Sequence, residues 1–195
     1  MKEMHAELPL GPVIPNIATL LQQNLQRSSD RTVFLEKDEQ GIYQGIKWSR
    51  FYENINRIAV SLRSRGFEKG DKMVIFSRNS LDMLQMHLAV MAMGGISIPI
   101  FAGFKQETAE LLIRHSEARW LTVEGDIQLK NIGTDLDLLC LIALKPVNDR
   151  RFPSMVHFRD LLRDEGISHS PLDTTIEPHT ICLNMYTSGT MGLPK

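Results

Sequence analysis

The sequence is poor in cysteine, nearly free of net charge, and without a basic start followed by an apolar run. Cys140 and Cys182 are its two cysteines. They lie far apart and form no CxxC pair, which disfavours a disulfide framework and fits a reducing compartment or two buried thiols. The 22 Lys and Arg residues nearly balance 23 Asp and Glu, leaving a formal net charge of -1. Composition therefore gives no sign of nucleic acid or an acidic surface as a partner. The opening stretch carries Glu3, Glu7, His5 and the prolines Pro9, Pro12 and Pro15, so it does not read as a secretory signal. There is no internal repeat and no low-complexity tract. The six histidines are scattered without the spacing of a metal site. No constellation of side chains reads as a nucleophilic triad.

Charge is also missing from residues 83–104, a stretch long enough to suggest a membrane span. Gly94, Gly95 and Pro99 interrupt it, and Gln85 and His87 sit in its first half. A helix followed by a buried strand is the better expectation, with His87 a structural residue rather than a ligand.

What is present is an ordinary globular apolar content of 43%, enough for a sizeable core in one domain. Asn16 precedes Ile17, Leu20, Leu21 and Leu25, the pattern of a capped amphipathic helix. Thr32–Lys37 and 42–48 read as two strands joined by the turn at 38–41. Ser49 should cap a helix with Phe51, Tyr52, Ile55, Ile58, Ala59 and Leu62 on its apolar face, ended by Gly66. A strand at 72–77, a helix at 81–93 stopped by Gly94, and a strand at Ile96–Ile100 form a βαβ unit, with parallel strands and a right-handed crossover. A helix at 106–115, strands at 118–123 and 138–144, a short helix at 157–163 and a strand at 180–186 follow. The expected fold is α/β, with a largely parallel sheet covered by helices.

The strand at 180–186 runs into residues 186–195, YTSGTMGLPK. Thr187, Ser188 and Thr190 supply three hydroxyls within four positions. Gly189 and Gly192 free the backbone to turn and aim its N–H groups inward. Lys195 adds a mobile positive charge. Any one of these residues alone would suit an ordinary surface turn. The ten together, following a buried strand, suit a polyphosphate. Lys195 follows Pro194, and the spacing from Gly189 is G-x-x-G-x-x-K, so this is not the Gly-Lys-Ser/Thr loop of the Walker class. In open sheets of this kind ligands bind beyond the carboxyl ends of the strands, where the loop is expected.

The segment 186–195 resembles the phosphate loop of the adenylate-forming (AMP-binding) superfamily, usually written YTSGTTGxPKG, with Met191 where a second Thr is common. The resemblance extends upstream, from about residue 19. Residues 46–52 (IKWSRFY), 65–71 (RGFEKGD), Asn79 with Ser80, 93–99 (MGGISIP) and 115–119 (HSEAR) are similar to further blocks of that superfamily. Asn79 reads as a turn or cap residue, and Gly94, Gly95 and Pro99 as backbone-shaping ones. Residues 98–107 (IPIFAGFKQE) lack the P-x-x-P-x-x-R of amino-acid adenylation domains and look more like long-chain fatty acyl-CoA synthetases.

The resemblance implies an acid–thiol ligase that forms an acyl-adenylate from ATP and then a thioester. Thr187, Ser188, Gly189, Thr190, Gly192 and Lys195 would hold the β- and γ-phosphates. No catalytic side chain and no metal ligand is assigned within the chain. The implied cofactors and partners are ATP, Mg2+, coenzyme A and a small carboxylic acid, in the cytoplasm, with at most peripheral membrane contact. Members of the superfamily continue for several hundred residues beyond this loop. Residues 1–195 are therefore expected to be a partial N-terminal domain, inactive alone. A standalone nucleotide- or partner-binding module, or another ATP enzyme with a convergent loop, stays open at this level.

Overall fold

The computed structural model describes residues 11–38, 40–163 and 172–187. Asn16 caps α1 (Ile17–Ser28) by accepting from the Thr19 N–H at 2.8 Å. Its amide also donates to the carbonyls of Thr174 at 2.9 Å and Ile176 at 2.8 Å, so one side chain starts a helix and ties down a distant segment. Strands β1 (Thr32–Lys37) and β2 (Tyr43–Lys47) form an antiparallel hairpin. Its turn is held by Asp38, whose carboxylate accepts from the N–H groups of Gln40 and Ile42, and Gly41 takes the positive φ of 79°.

Helix α2 (Trp48–Ser64) begins one residue before the expected cap, and Ser49 does not cap it. The N–H groups of Trp48 and Ser49 donate instead to the carbonyls of Arg31 and Ser29, so the first turn is satisfied by backbone. Phe51, Ile55, Ile58, Ala59 and Leu62 are buried as the periodicity predicts, and Tyr52 is half-buried. Strand β3 (Lys72–Phe76), helix α3 (Leu81–Ala92) and strand β4 (Ile96–Ile100) form the expected βαβ unit. Ser80 caps α3 by accepting from the Met83 N–H, and Gly94 leaves it at φ 77°. No helix among the described residues is long and apolar enough to cross a membrane.

The chain continues through α4 (Gln106–Ser116), β5 (Trp120–Val123), the short α5 (Asp126–Leu129), β6 (Cys140–Ala143), β7 (Val156–His157) and α6 (Phe158–Arg163). α5 and β7 had no separate signal in the sequence. The sheet order is β4-β3-β5-β6-β7, and every pairing is parallel. Its central strands β3, β5 and β6 are buried on both faces, so they read as continuous apolar runs. Met73 and Ile75 face the layer holding α1, α2, α3 and α6. Val74 and Phe76 face the layer holding α4. The expected α/β architecture with covering helices is what the structure has.

The strand expected at 180–186 is reduced to one parallel bridge, Leu183 to Ser97, on the outer side of β4. The Ser97 N–H donates to the Cys182 carbonyl, and the Asn184 N–H donates to the Ser97 carbonyl, both at 3.0 Å. Two positions, one just before β4 and one within it, stop the ladder there. Gly95 has given its N–H to the Val90 carbonyl at the end of α3, and Pro99 has no N–H to give.

Gly95 is also a packing requirement. A Cβ there would stand 2.6 Å from two ring carbons of Phe67 and 3.1 Å from Val90. Phe67 is buried and packs edge-on against Trp120 at 5.1 Å, so its ring has no free direction in which to move. Gly95→Ala should destabilise the fold by about 1–3 kcal/mol. Chemical denaturation would show this as a lower midpoint with an unchanged slope, and an unchanged midpoint would contradict it.

Candidate nucleotide-binding site

The segment through Leu183 runs parallel to β4, toward the carboxyl ends of the strands. It presents Ile181, Leu183 and Met185 on its exposed side. Tyr186 turns inward and packs against the α4 layer of the core. Its hydroxyl lies 2.9 Å from His115 Nδ1 and donates to the Leu112 carbonyl at 3.4 Å. The two rings meet edge-on, with centroids 5.7 Å apart. Burial pushes the Tyr186 phenol above its ordinary pKa, so it stays a neutral hydrogen-bonding group. Thr187, the first loop residue, is exposed next to this anchor. Ser188, Gly189, Thr190, Gly192 and Lys195 lie outside the described residues.

A second cluster at the carboxyl ends of the strands gave no sequence signal as a group. From β3 the chain crosses to β4 on one side, and β5 then adds on the other side of β3. The crevice between the ends of β3 and β5 is thus a topological switch point, where open α/β sheets commonly take ligands. Here Glu124 fills it. The Glu124 carboxylate is only 6% exposed, while Arg78 and Lys145 are 68% and 53% exposed. Arg78 donates to it through Nε and Nη2, the latter at 2.7 Å, and its backbone N–H adds a third bond at 3.2 Å. Lys145 Nζ donates at 2.7 Å. The hydrogen bonds from Arg78, helped by Lys145, outweigh burial and hold Glu124 down to a pKa of about 2. Three strand ends are joined through one carboxylate. The legible hint was a charged residue immediately after each apolar run.

Beside this cluster, burial and the neighbouring Glu36 push Asp82 up to a pKa of about 6, against the pull of Lys145 and Arg159. Glu36 accepts from the Leu81 N–H at 3.0 Å, so the hairpin helps cap α3. With acids and bases this closely balanced, the cluster works as a joint between strands rather than as an anion site. His87 sits half-buried on α3 with Nδ1 bonded to the Ser97 hydroxyl, and burial lowers its pKa. That places it under the edge of β4, in a structural role. No group of three or more His, Cys, Asp or Glu side chains among the described residues could hold a metal ion.

Residues 21–195 match the family described as AMP-binding enzyme. An uncharacterized acyl–CoA ligase, YtcI, of Bacillus subtilis is 24% identical over 188 residues, covering 95% of this chain and 34% of that protein. The 4-hydroxybutyrate–CoA ligase 2 of Metallosphaera sedula is 28% identical over 174 residues, covering 85% of this chain and 30% of that protein. The chain thus spans about a third of the length of these relatives. Among solved structures, the long-chain-fatty-acid–CoA ligase FadD1 of Archaeoglobus fulgidus superposes with a TM-score of 0.79 at 17% identity, over 95% of this chain and 37% of that one.

Proposed function

Because the chain belongs to the AMP-binding enzyme family, we propose that it supplies the N-terminal part of an ATP-dependent carboxylate–CoA ligase and carries that enzyme's phosphate loop. The observation that carries the proposal is the family match through residue 195, which takes in the whole of YTSGTMGLPK. Thr187, Ser188 and Thr190 offer hydroxyls, Gly189 and Gly192 open backbone N–H groups, and Lys195 offers an ammonium. Together they bind the β- and γ-phosphates and orient them as the leaving group.

A substrate carboxylate oxygen attacks the α-phosphorus of ATP. The new bond is acyl C–O–P, and the bond broken is the one from the α-phosphorus to the bridging oxygen that leaves with pyrophosphate. In the second step the sulfur of coenzyme A attacks the acyl carbon, AMP departs, and the thiol proton is released. Both steps depend on positioning and charge stabilisation rather than on a side-chain nucleophile. Mg2+ would accompany the triphosphate, where it needs only one or two protein carboxylates. The acid is proposed to be a fatty acid, on the support of residues 98–107 (IPIFAGFKQE). A cytoplasmic setting, with at most peripheral membrane contact, fits soluble ATP and CoA as reactants.

Since the chain covers about a third of its relatives, it is further proposed not to complete the reaction alone. The purified chain should bind ATP but give no acid-dependent exchange of pyrophosphate into ATP. Exchange above background would sink the second half of the proposal, and failure to bind ATP at millimolar concentration would sink the first.

A further inference from the structure

Among the described residues, two backbone hydrogen bonds hold 181–187 to the sheet, and both are to Ser97. Between Asn184 and Thr187 no further backbone bond ties the described residues to the sheet. The next fixed point is a side chain: Tyr186, directly before Thr187. Its hydroxyl meets His115 Nδ1 at 2.9 Å and the Leu112 carbonyl at 3.4 Å, both on α4. His115 is itself exposed and contributes nothing to the core. If the hydroxyl donates to Leu112, the His115 Nδ1–H donates to the hydroxyl, so all three groups are satisfied together.

We propose that Tyr186 and His115 form a latch that fixes the stem of the phosphate loop against α4, making His115 a positioning residue for nucleotide binding. This rests on the phosphate-loop reading of 186–195. The physical basis is preorganisation. A loop that must order around a ligand binds less tightly by the cost of that ordering, and anchoring its first residue removes part of the cost. The latch is near the surface, so a net hydrogen-bond contribution of ordinary size applies, and its loss should weaken ATP binding by about threefold to tenfold. Thr187 is one residue from the anchor, so the effect should fall on nucleotides whose phosphates reach the loop.

The test uses the full chain with Tyr186→Phe, His115→Ala, the double variant and His115→Asn. Hydrogen exchange of peptides covering 183–187, thermal midpoints, and titration with ATP and AMP are the readouts. Tyr186→Phe keeps the ring in the core and removes only the hydroxyl. Both single variants should speed exchange at 183–187 without moving the melting temperature, and should weaken ATP more than AMP. The double variant should be no worse than Tyr186→Phe, which already removes the hydrogen bond to His115 along with the one to Leu112. His115→Asn, which keeps a polar donor, should recover part of the loss. Additive effects, or unchanged exchange and ATP affinity in both single variants, would overturn the latch alone. Absence of ATP binding by the unmodified chain would overturn the phosphate-loop reading, and with it the latch as a nucleotide-positioning device, even if exchange still responds.

Discussion

Replacing Lys195 with alanine should weaken binding of ATP by about tenfold to a hundredfold, the range expected for hydrogen bonds to charged groups. Binding of AMP should change little, because AMP has no β- or γ-phosphate for the ammonium to meet. Lysine acts on a phosphate as a mobile point charge. Lys195→Arg should therefore retain more affinity than the alanine variant, and the difference should shrink as salt is raised. Met185, ten residues earlier in the sequence, is exposed, so Met185→Ala serves as a control that should bind ATP normally. Calorimetric titration with ATP, ADP and AMP decides the matter. An equal loss for all three nucleotides would mean that Lys195 supports the fold or the adenosine moiety instead. No loss for any would remove it from the site.

The second large effect is on stability. Removing both cations from Glu124, in an Arg78→Ala, Lys145→Ala double variant, should cost about 3 kcal/mol, because it leaves a buried carboxylate with only the backbone N–H of residue 78 as a partner. The asymmetry of exposure sets the direction. Glu124 is 6% exposed, whereas its partners are 68% and 53% exposed and can return to water. Adding Glu124→Gln to the double variant should therefore restore stability, since it removes the stranded charge. The pH dependence follows from the same group. Its folded pKa lies at about 2, below the ordinary 4.5. Its contribution is therefore present above about 4.5 and is lost as the pH falls from there toward 2. The unmodified chain should lose stability through this window, and the triple variant should show less of that loss. Urea denaturation from pH 7 to pH 3 measures both. If the triple variant were no more stable than the double one at neutral pH, the carboxylate would not be the cause.

Much of the molecule was legible because its central strands are buried on both faces. A run such as Lys72–Phe76 has no polar alternation to obscure it, and Gly94 and Ser80 punctuate the helix that follows. The limits of that legibility are physical. Ser49 looked like a cap because its side chain could serve as one, but the helix starts one residue earlier, where the carbonyls of Arg31 and Ser29 accept from the N–H groups of Trp48 and Ser49. The segment 180–186 looked like a strand because its residues favour one. Whether a strand forms depends on donors in its neighbour, and Gly95 and Pro99 supply none. β7 was missed, with its second residue, His157, read as the start of the helix after it, because a pair of residues is too short to carry a period.

The segment 186–195 read as a phosphate loop for the opposite reason. Its chemistry is concentrated in ten consecutive residues, so spacing alone describes it. By itself the sequence determined the α/β class and the family, and it supplied the residue types on which the phosphate-loop proposal rests, because each is written in local order along the chain. Only the tertiary structure decided that Glu124, Arg78 and Lys145 meet at the switch point, and that Tyr186 is held by His115. The partners of those contacts are 46, 21 and 71 residues apart. Contacts at that separation arise from the order in which strands enter the sheet, and no local period records that order.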